Sequence, residues 1–435
     1  MSPHVWRNWA RTQQVTPAIA LHPTSVEQVQ DAVISARTQK LPVKAIGAGH
    51  SFTGIAVAPG VQFDLGRLDG LLAINERHAQ ATFAAGTNLY QIPALLAPFG
   101  LAMANLGDID RQTIAGAIST GTHGTGSCFG GIATQVTAMT LVVGDGSLIH
   151  ISETENAELL PAVRVGLGAL GIIVDVTIQC VPAFQLHAVE KPMPLADVVE
   201  NFDHLADDND HFEFHWFPHS EVASTKTNTR IGVDEPTHRR SATGRFVDDR
   251  VLADTVFRAL CNVERAIPAT IPPVNRMVAK LFANGEFTEP SHEVFASHRS
   301  VRFREMEYAL PREAMIPAFT ELRALIAERE WRIEYPVEVR VAQQDTNWMS
   351  TAYGRDTGYI AIHRFFRSDH TAYFTAAEQI FLRHGGRPHW GKMHFRDADY
   401  LRTVYPRFDD FLAAREQLDP ERRFRNDYLD RVLGA

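Results

Sequence analysis

Cysteine is scarce. The chain carries three, Cys128, Cys180 and Cys261, among 435 residues. An odd, sparse set excludes a disulfide framework and fits a reducing compartment, so the expected location is cytoplasmic. Positive charge is also short. Lys and Arg number 42 against 51 Asp and Glu, for a net charge of −9 and a pI near 6.1. That balance argues against nucleic acid as the main partner. The opening stretch MSPHVWRNWARTQQ shows no apolar leader, and no run is long and apolar enough to read as a membrane span. Repeats and low-complexity tracts are absent. What remains is globular: 45% hydrophobic and 21% charged residues, with enough length for about two or three domains.

Charge itself is missing from two stretches, 45–63 and 112–144. Both are too rich in Gly, Ser and Thr to be lipid-facing helices. The first contains GAGHSFTG. Gly47, Gly49 and Gly54 do not make the dinucleotide fingerprint G-x-G-x-x-G. Two readings fit: a tight loop whose His50 merely hydrogen-bonds, or a pyrophosphate-binding turn whose backbone N–H groups approach phosphates closely. A neutral imidazole in such a turn is also a nucleophile, and the 8α-methyl of a flavin is a cofactor position it can capture. The second stretch contains TIAGAISTGTHGTG. Its small residues and hydroxyls supply donors without charge, which suits a large polar ligand between strands. The alternative is a buried glycine-rich core loop.

The predicted elements alternate. A helix over HPTSVEQVQDAVISARTQK has Thr24 and Glu27 as a capping box, with Val26, Val29 and Val33 on one apolar face. Strands follow in VKAIGAG and VQFDLG, a hairpin in LLAINERHAQATFAAG, and a helix in TNLYQIPALLAPFG. A second hairpin turns at Asp145-Gly146, and ALGIIVDVTIQCV is a strand. From Pro182 onward, helices cover PLADVVENFDHLADD, VLADTVFRALCNVERAI and VNRMVAKLFA. DEPTHRRSATGRFVDDR is a polar surface loop. HFEFHWFP, VRFREMEYALP, RIEYPVEVRVAQ and GYIAIHRFF are strands with polar residues on one face. The pattern is a mixed α/β unit followed by a sheet with helices on one side and a charged face open to a ligand.

Glu338 and Arg340 in VEVR are two apart and share a sheet face. They either orient a polyhydroxy substrate and steady negative charge, or form a solvated ion pair. In HWGKMH, Lys392 lies among aromatics and would hold an anionic ring near a cofactor. The His389-x4-His394 spacing is not a metal-ligand pattern, so no metal is read. Cys128 reads as a small buried hydrophobe.

GAGHSFTG, NLGDIDRQTIAGAISTGTHGTG, ALGIIVDVTI, VEVR and HWGK occur in that order. In this the chain resembles the FAD-dependent vanillyl-alcohol-oxidase-type flavoproteins, and within them the aldonolactone oxidases. The resemblance implies an α+β fold: a two-subdomain FAD-binding domain of the PCMH type over 1–182, a cap domain with an antiparallel sheet covered by helices over 183–400, and a return to the first domain over 401–435. It implies FAD carried covalently by His50. Ile46, Gly47, Ala48, Gly49 and Ser51 would form the pyrophosphate turn. Thr113, Gly116, Ser119, Gly121, Thr122, His123 and Gly124 would form a second wall, with Gly171 and Ile172 at the adenine half. Lys392 would lie near the isoalloxazine, and Gly107 would leave room for dioxygen. Glu338, Arg340 and Lys392 would be catalytic. The implied reaction is oxidation of a sugar 1,4-lactone of the gulono, galactono or arabinono type to an ascorbate-class product, with dioxygen or another acceptor taking the electrons. The alternative is an alditol oxidase acting on xylitol or sorbitol. His215, Trp216, Glu305 and Trp348 are further candidates for reading the sugar's outer hydroxyls.

Overall fold

A computed structural model describes residues 5–240, 256–281, 285–297 and 301–435. Parts of three predicted segments therefore lie outside the described residues: the polar loop from 241, the helix start up to 255, and the end of VNRMVAKLFA from 282.

The helix Val26–Thr38 forms because Val29, Val33 and Ala36 recur at helical spacing and are buried together. Its cap is shifted by one residue from the predicted box. Ser25 accepts from the Gln28 N–H at 3.3 Å, and the Thr24 N–H donates to the Gln28 side chain at 2.9 Å. The helix joins strand Ile19–Leu21 to strand Val43–Ile46, and both pair in parallel with Val61–Asp64. Beside this lies a five-stranded antiparallel sheet in the order Leu148–Ser152, Val136–Val142, Ile172–Gln179, Gln80–Ala84, Leu71–Asn75. Both predicted hairpins are in it, and Gly146 supplies the left-handed residue of the second (φ 89°). The helix read in TNLYQIPALLAPFG is instead a chain of short turns, Leu89–Gln91, Ile92–Leu96 and Ala97–Phe99. Pro93 and Pro98 interrupt the hydrogen-bond ladder there.

The second unit is an eight-stranded antiparallel sheet. Its order is Gly285–Pro290, Gln185–Pro194, Val222–Ile231, His211–Trp216, Val337–Ala342, Thr357–Phe365, Phe303–Pro311, Arg387–Pro388. Val337, Val339 and Val341 face one side with Phe212, Phe214, Ile360 and Ile362, and pack under the helices Arg312–Glu328 and Thr371–Arg383. Burying each such side chain contributes roughly 1.5–3 kcal/mol. The intervening residues Glu338 and Arg340 therefore face the other way, toward the first unit. The predicted helix over PLADVVENFDHLADD is broken at Asn201 into Leu195–Glu200 and Phe202–Asp207.

Three helices, Ala398–Val404, Phe408–Leu418 and Asp427–Leu433, return to the first unit. Leu401, Phe411, Leu429 and Val432 join the same core as Val33, Phe63 and Phe83. Asn426 donates to the carbonyls of Gly54, Ile55 and Val57, just past the His50 turn. Among the described residues no helix is long and apolar enough to cross a membrane.

Candidate active site

The turn after strand Val43–Ile46 is built around glycine. Gly49 is left-handed (φ 72°), and a Cβ on Gly47 would stand 2.5 Å from the Thr113 hydroxyl. The turn is pinned from the N-terminal side, where the Trp9 N–H donates to the Gly49 carbonyl at 2.8 Å and Asn8 donates to the Ser51 carbonyl at 2.9 Å. Among the described residues, the N–H groups of Ala48, Gly49, His50 and Ser51 donate to no protein acceptor. Four successive unclaimed donors at an uncharged glycine turn make an anion-binding concavity.

This turn is one wall of a slot. Thr113, Gly116, Ser119 and Thr120 form the opposite wall, and Leu167, Gly168, Gly171 and Ile173 close one end. Thr113 caps the short helix Ile114–Ser119 by accepting from the Gly116 N–H at 3.2 Å. Lys44 lies buried at the closed end and donates to the Gly168 carbonyl at 2.7 Å. Burial, with help from Arg415, pushes its pKa down to about 7.

At the other end the slot opens, past His50, into a cavity beneath the charged face of the large sheet. His50 stacks on Trp9 with centroids 5.7 Å apart. Burial, followed by the nearby Lys392 and Arg111 cations, lowers its pKa to about 4, so the ring is neutral at physiological pH.

The charged face is dense. Arg340 pairs with Glu338 on its own strand, with Glu213 at 2.7 Å and with Asp108 at 3.9 Å. Burial pulls the guanidinium's pKa down, but the surrounding carboxylates outweigh it and hold the group charged. Lys392 pairs with Glu305 at 2.5 Å. Burial pushes the Glu305 carboxyl up, yet Lys392 and His363 prevail and hold it near a pKa of about 2. Glu307 receives His123 Nε2 at 2.8 Å, the His123 Nδ1 faces the Gly124 carbonyl at 2.8 Å, and the ring stacks on Tyr359. His215 lies 3.8 Å from Glu338.

The comparisons with known proteins fit this geometry. Residues 176–432 match the family model for D-arabinono-1,4-lactone oxidase, and residues 17–152 match that for the FAD binding domain. The chain belongs to the D-arabinono-1,4-lactone oxidase family. It is 39% identical over its full length to the whole of an L-gulono-1,4-lactone dehydrogenase from Mycobacterium tuberculosis. It is 36% identical to L-gulonolactone oxidase from Bos taurus, with 98% of each chain covered. The crystal structure of cholesterol oxidase from B. sterolicum superposes with a TM-score of 0.83 at 19% identity, covering 99% of this chain and 97% of that one, and shows the same fold. This lactone-oxidase family member is thus an FAD-dependent oxidoreductase with an α+β, PCMH-type fold. The slot suits FAD. Its unclaimed N–H groups would suit a pyrophosphate, and a side chain at Gly47 would fill the cradle.

The residues singled out in the sequence divide into three groups. Ile46, Gly47, Ala48, Gly49, His50, Ser51, Thr113, Gly116, Ser119 and Gly171 line the slot. Thr122, His123, Glu338, Arg340 and Lys392 line the cavity beneath the charged face, and His50 and Ser51 line both. Gly107, Gly121, Gly124 and Ile172 line neither. A Cβ on Gly107 would stand 3.1 Å from both the Thr122 methyl and the His123 carbonyl, and one on Gly124 would stand 2.2 Å from the Leu106 carbonyl, so both positions are closely packed and Gly107 leaves no open room for dioxygen. Ile172 is replaced in the lining by its neighbour Ile173, because adjacent residues of a strand face opposite sides of the sheet. Of the four further candidates, Glu305 reaches the cavity and His215 borders Glu338. Trp216 points into the helix-covered core and donates to the Ser220 carbonyl, and Trp348 packs elsewhere under Arg407. Cys128 is exposed rather than buried.

Sequence reasoning missed Trp9, Asp108, Gln112, Glu213, Glu307, His363 and His389. The alternation in FREMEYALP carried a signal for Glu307, which shares a face with Glu305. His123, Glu307 and His389 bring ligand-type atoms within 4.8 Å of one another. Lys392 raises the local positive potential at both Glu307 and His389, which works against a further cation there.

Proposed function

We propose that the protein oxidises a carbinol carbon of a sugar 1,4-lactone, of the L-gulono, L-galactono or D-arabinono type, to an ascorbate-class product. The observation that carries this reading is the Glu338–Arg340 pair, which lines one cavity together with Lys392 and His50 from other elements. The relatives named as gulonolactone and arabinonolactone enzymes support it. Bound FAD supplies the two-electron acceptor that takes hydride from the carbinol carbon.

The chain supplies orientation and charge. Glu338 accepts a hydrogen bond from the reacting hydroxyl and takes its proton. Arg340, held charged by three carboxylates, stabilises the oxyanion that develops as the proton leaves. Lys392 would hold its ammonium toward the bound ring system, where a fixed positive charge favours an anionic ring. The neutral His50 imidazole is the covalent anchor at the 8α-methyl. Forming that bond would replace one methyl C–H and the imidazole N–H by C–N, so two protons would go to solvent and two electrons to the acceptor used in turnover. Dioxygen or another acceptor then receives the electrons.

The test is a stopped-flow reduction with a panel of 1,4-lactones beside xylitol and sorbitol. Fast bleaching by a lactone and slow bleaching by both polyols is expected. The reverse order replaces this reading by the alditol oxidase. Acid precipitation tests the anchor: the yellow colour should stay in the pellet, and His50→Ala should release it.

A further inference from the structure

A larger cavity lies on the outer side of His50, with a volume of about 510 Å³. It meets the charged-face cavity only at Trp9, His50 and Ile109. Four guanidinium groups line it: Arg111, Arg258, Arg302 and Arg367. No carboxylate is among its described lining residues. This runs against the protein's net charge of −9. Asp110 reaches Arg111 from just outside, at 3.3 Å. Arg367 donates to Asn262 at 3.3 Å and stacks on Phe366. Arg302 pairs with no carboxylate among the described residues, and after burial its main influences are the repelling charges of Arg11 and Arg258. Like charges held together at a cavity mouth lower the free energy of a bound anion. Phe365, Phe366 and Trp9 give the same cavity apolar walls that suit a compact or planar body.

We propose that this cavity docks a small anionic electron acceptor, which takes electrons from the reduced cofactor on the His50 side. The inference rests on the flavin-oxidoreductase reading. Sugar lactones carry no charge, so four guanidinium groups serve no need of theirs, and neither Glu338 nor Arg340 lines this cavity. The oxidative half-reaction is where a charged reactant fits. With hexacyanoferrate(III), two molecules each take one electron. The two-electron-reduced cofactor returns to its oxidised form and its proton goes to solvent.

The test uses holoenzyme reduced photochemically, so it needs no lactone. Reoxidation is followed by stopped flow with hexacyanoferrate(III) and with neutral 1,4-benzoquinone, in the parent and in Arg302→Gln/Arg367→Gln. The expected result is at least a tenfold fall with hexacyanoferrate(III), less than a twofold change with benzoquinone, and a steep salt dependence that the variant loses. Calorimetry with redox-inert hexacyanocobaltate(III) supplies a readout apart from activity: the parent binds it and the double variant binds at least tenfold more weakly. Equal losses with both acceptors, no binding of hexacyanocobaltate(III) by the parent, or slowed reduction by lactone with unchanged reoxidation each overturn the proposal. The last outcome assigns the cavity to the substrate. Failure of every lactone to reduce the parent refutes the proposed substrate and leaves this test standing.

Discussion

Removing the Arg340 charge should separate stability from catalysis. In Arg340→Met the side-chain volume is nearly kept, but Glu338, Glu213 and Asp108 lose the cation they share. The Glu338 and Glu213 side chains are only 8% and 14% exposed, so solvent compensates little. Removing one partner of a buried ion pair costs about 3–5 kcal/mol, because the remaining charge is left uncompensated. Unfolding entropy of roughly 2.1 cal/mol/K per residue converts that to about 3–5 °C in Tm for a chain of this length, if it melts as one unit. Catalysis should fall further, by about 100- to 1,000-fold in flavin reduction, the usual loss for one charge-stabilising donor. The second variant, Arg340→Met/Glu338→Gln, removes one of the stranded carboxylates. It should regain at least half of the lost Tm while staying catalytically dead. The assays are thermal melting followed by flavin fluorescence, and anaerobic stopped flow. A single variant that melts within 1 °C of the parent, or a double variant no more stable than the single, refutes the ion-pair argument.

Three other outcomes follow from the same geometry. Gly47→Ala places a methyl against the Thr113 hydroxyl, so the purified variant should hold less than half the parent's flavin by its visible absorbance; Gly47→Ala/Thr113→Ala should recover part of it. His389, with its pKa pushed by burial from an ordinary 6.5 to about 4, stays neutral in the folded state while the unfolded chain takes up a proton. Stability should therefore be complete above pH 6.5 and fall toward pH 4 by about 1.4 kcal/mol per pH unit for such a group, and melting across this range should be flatter in His389→Gln. Lys392→Met strands Glu305 near His363. Flavin reduction should slow by about 100-fold, and Glu305→Gln in the same chain should restore melting temperature without restoring the rate.

The α+β fold was legible because its signals are local. Alternation in VEVRVA separates the residues that fill the helix-covered core from those that face the ligand, and the Asp145-Gly146 turn fixes a hairpin. The glycine turn and the charge-free second wall were legible for the same reason. Pairings between distant segments were not. Lys392 meets Glu305, and Trp9 stacks on His50, only because of the strand order in the large sheet and the fold-back of the N-terminal segment. Neither is encoded in spacing. Ile172 and Ile173 show a finer limit: both are buried apolar neighbours in one strand, and the strand's parity in the sheet decides which of them lines the slot. Trp216 shows another. Strand parity assigns it to the face opposite His215, but an indole also reads readily as a sugar platform.

The return of residues 398–433 to the first core has a consequence for biosynthesis. Asn426 ties down three carbonyls just beyond the His50 turn, and the Val43 N–H donates to the Arg423 carbonyl. The strand that launches the cofactor turn leaves the ribosome some 380 residues before these partners do. At roughly 5–20 residues per second that is a wait of about 20–80 s. During it, the apolar surface that Leu429 and Val432 will cover stands open on the nascent chain. The core beneath the cofactor turn is therefore completed only when synthesis reaches its last segment.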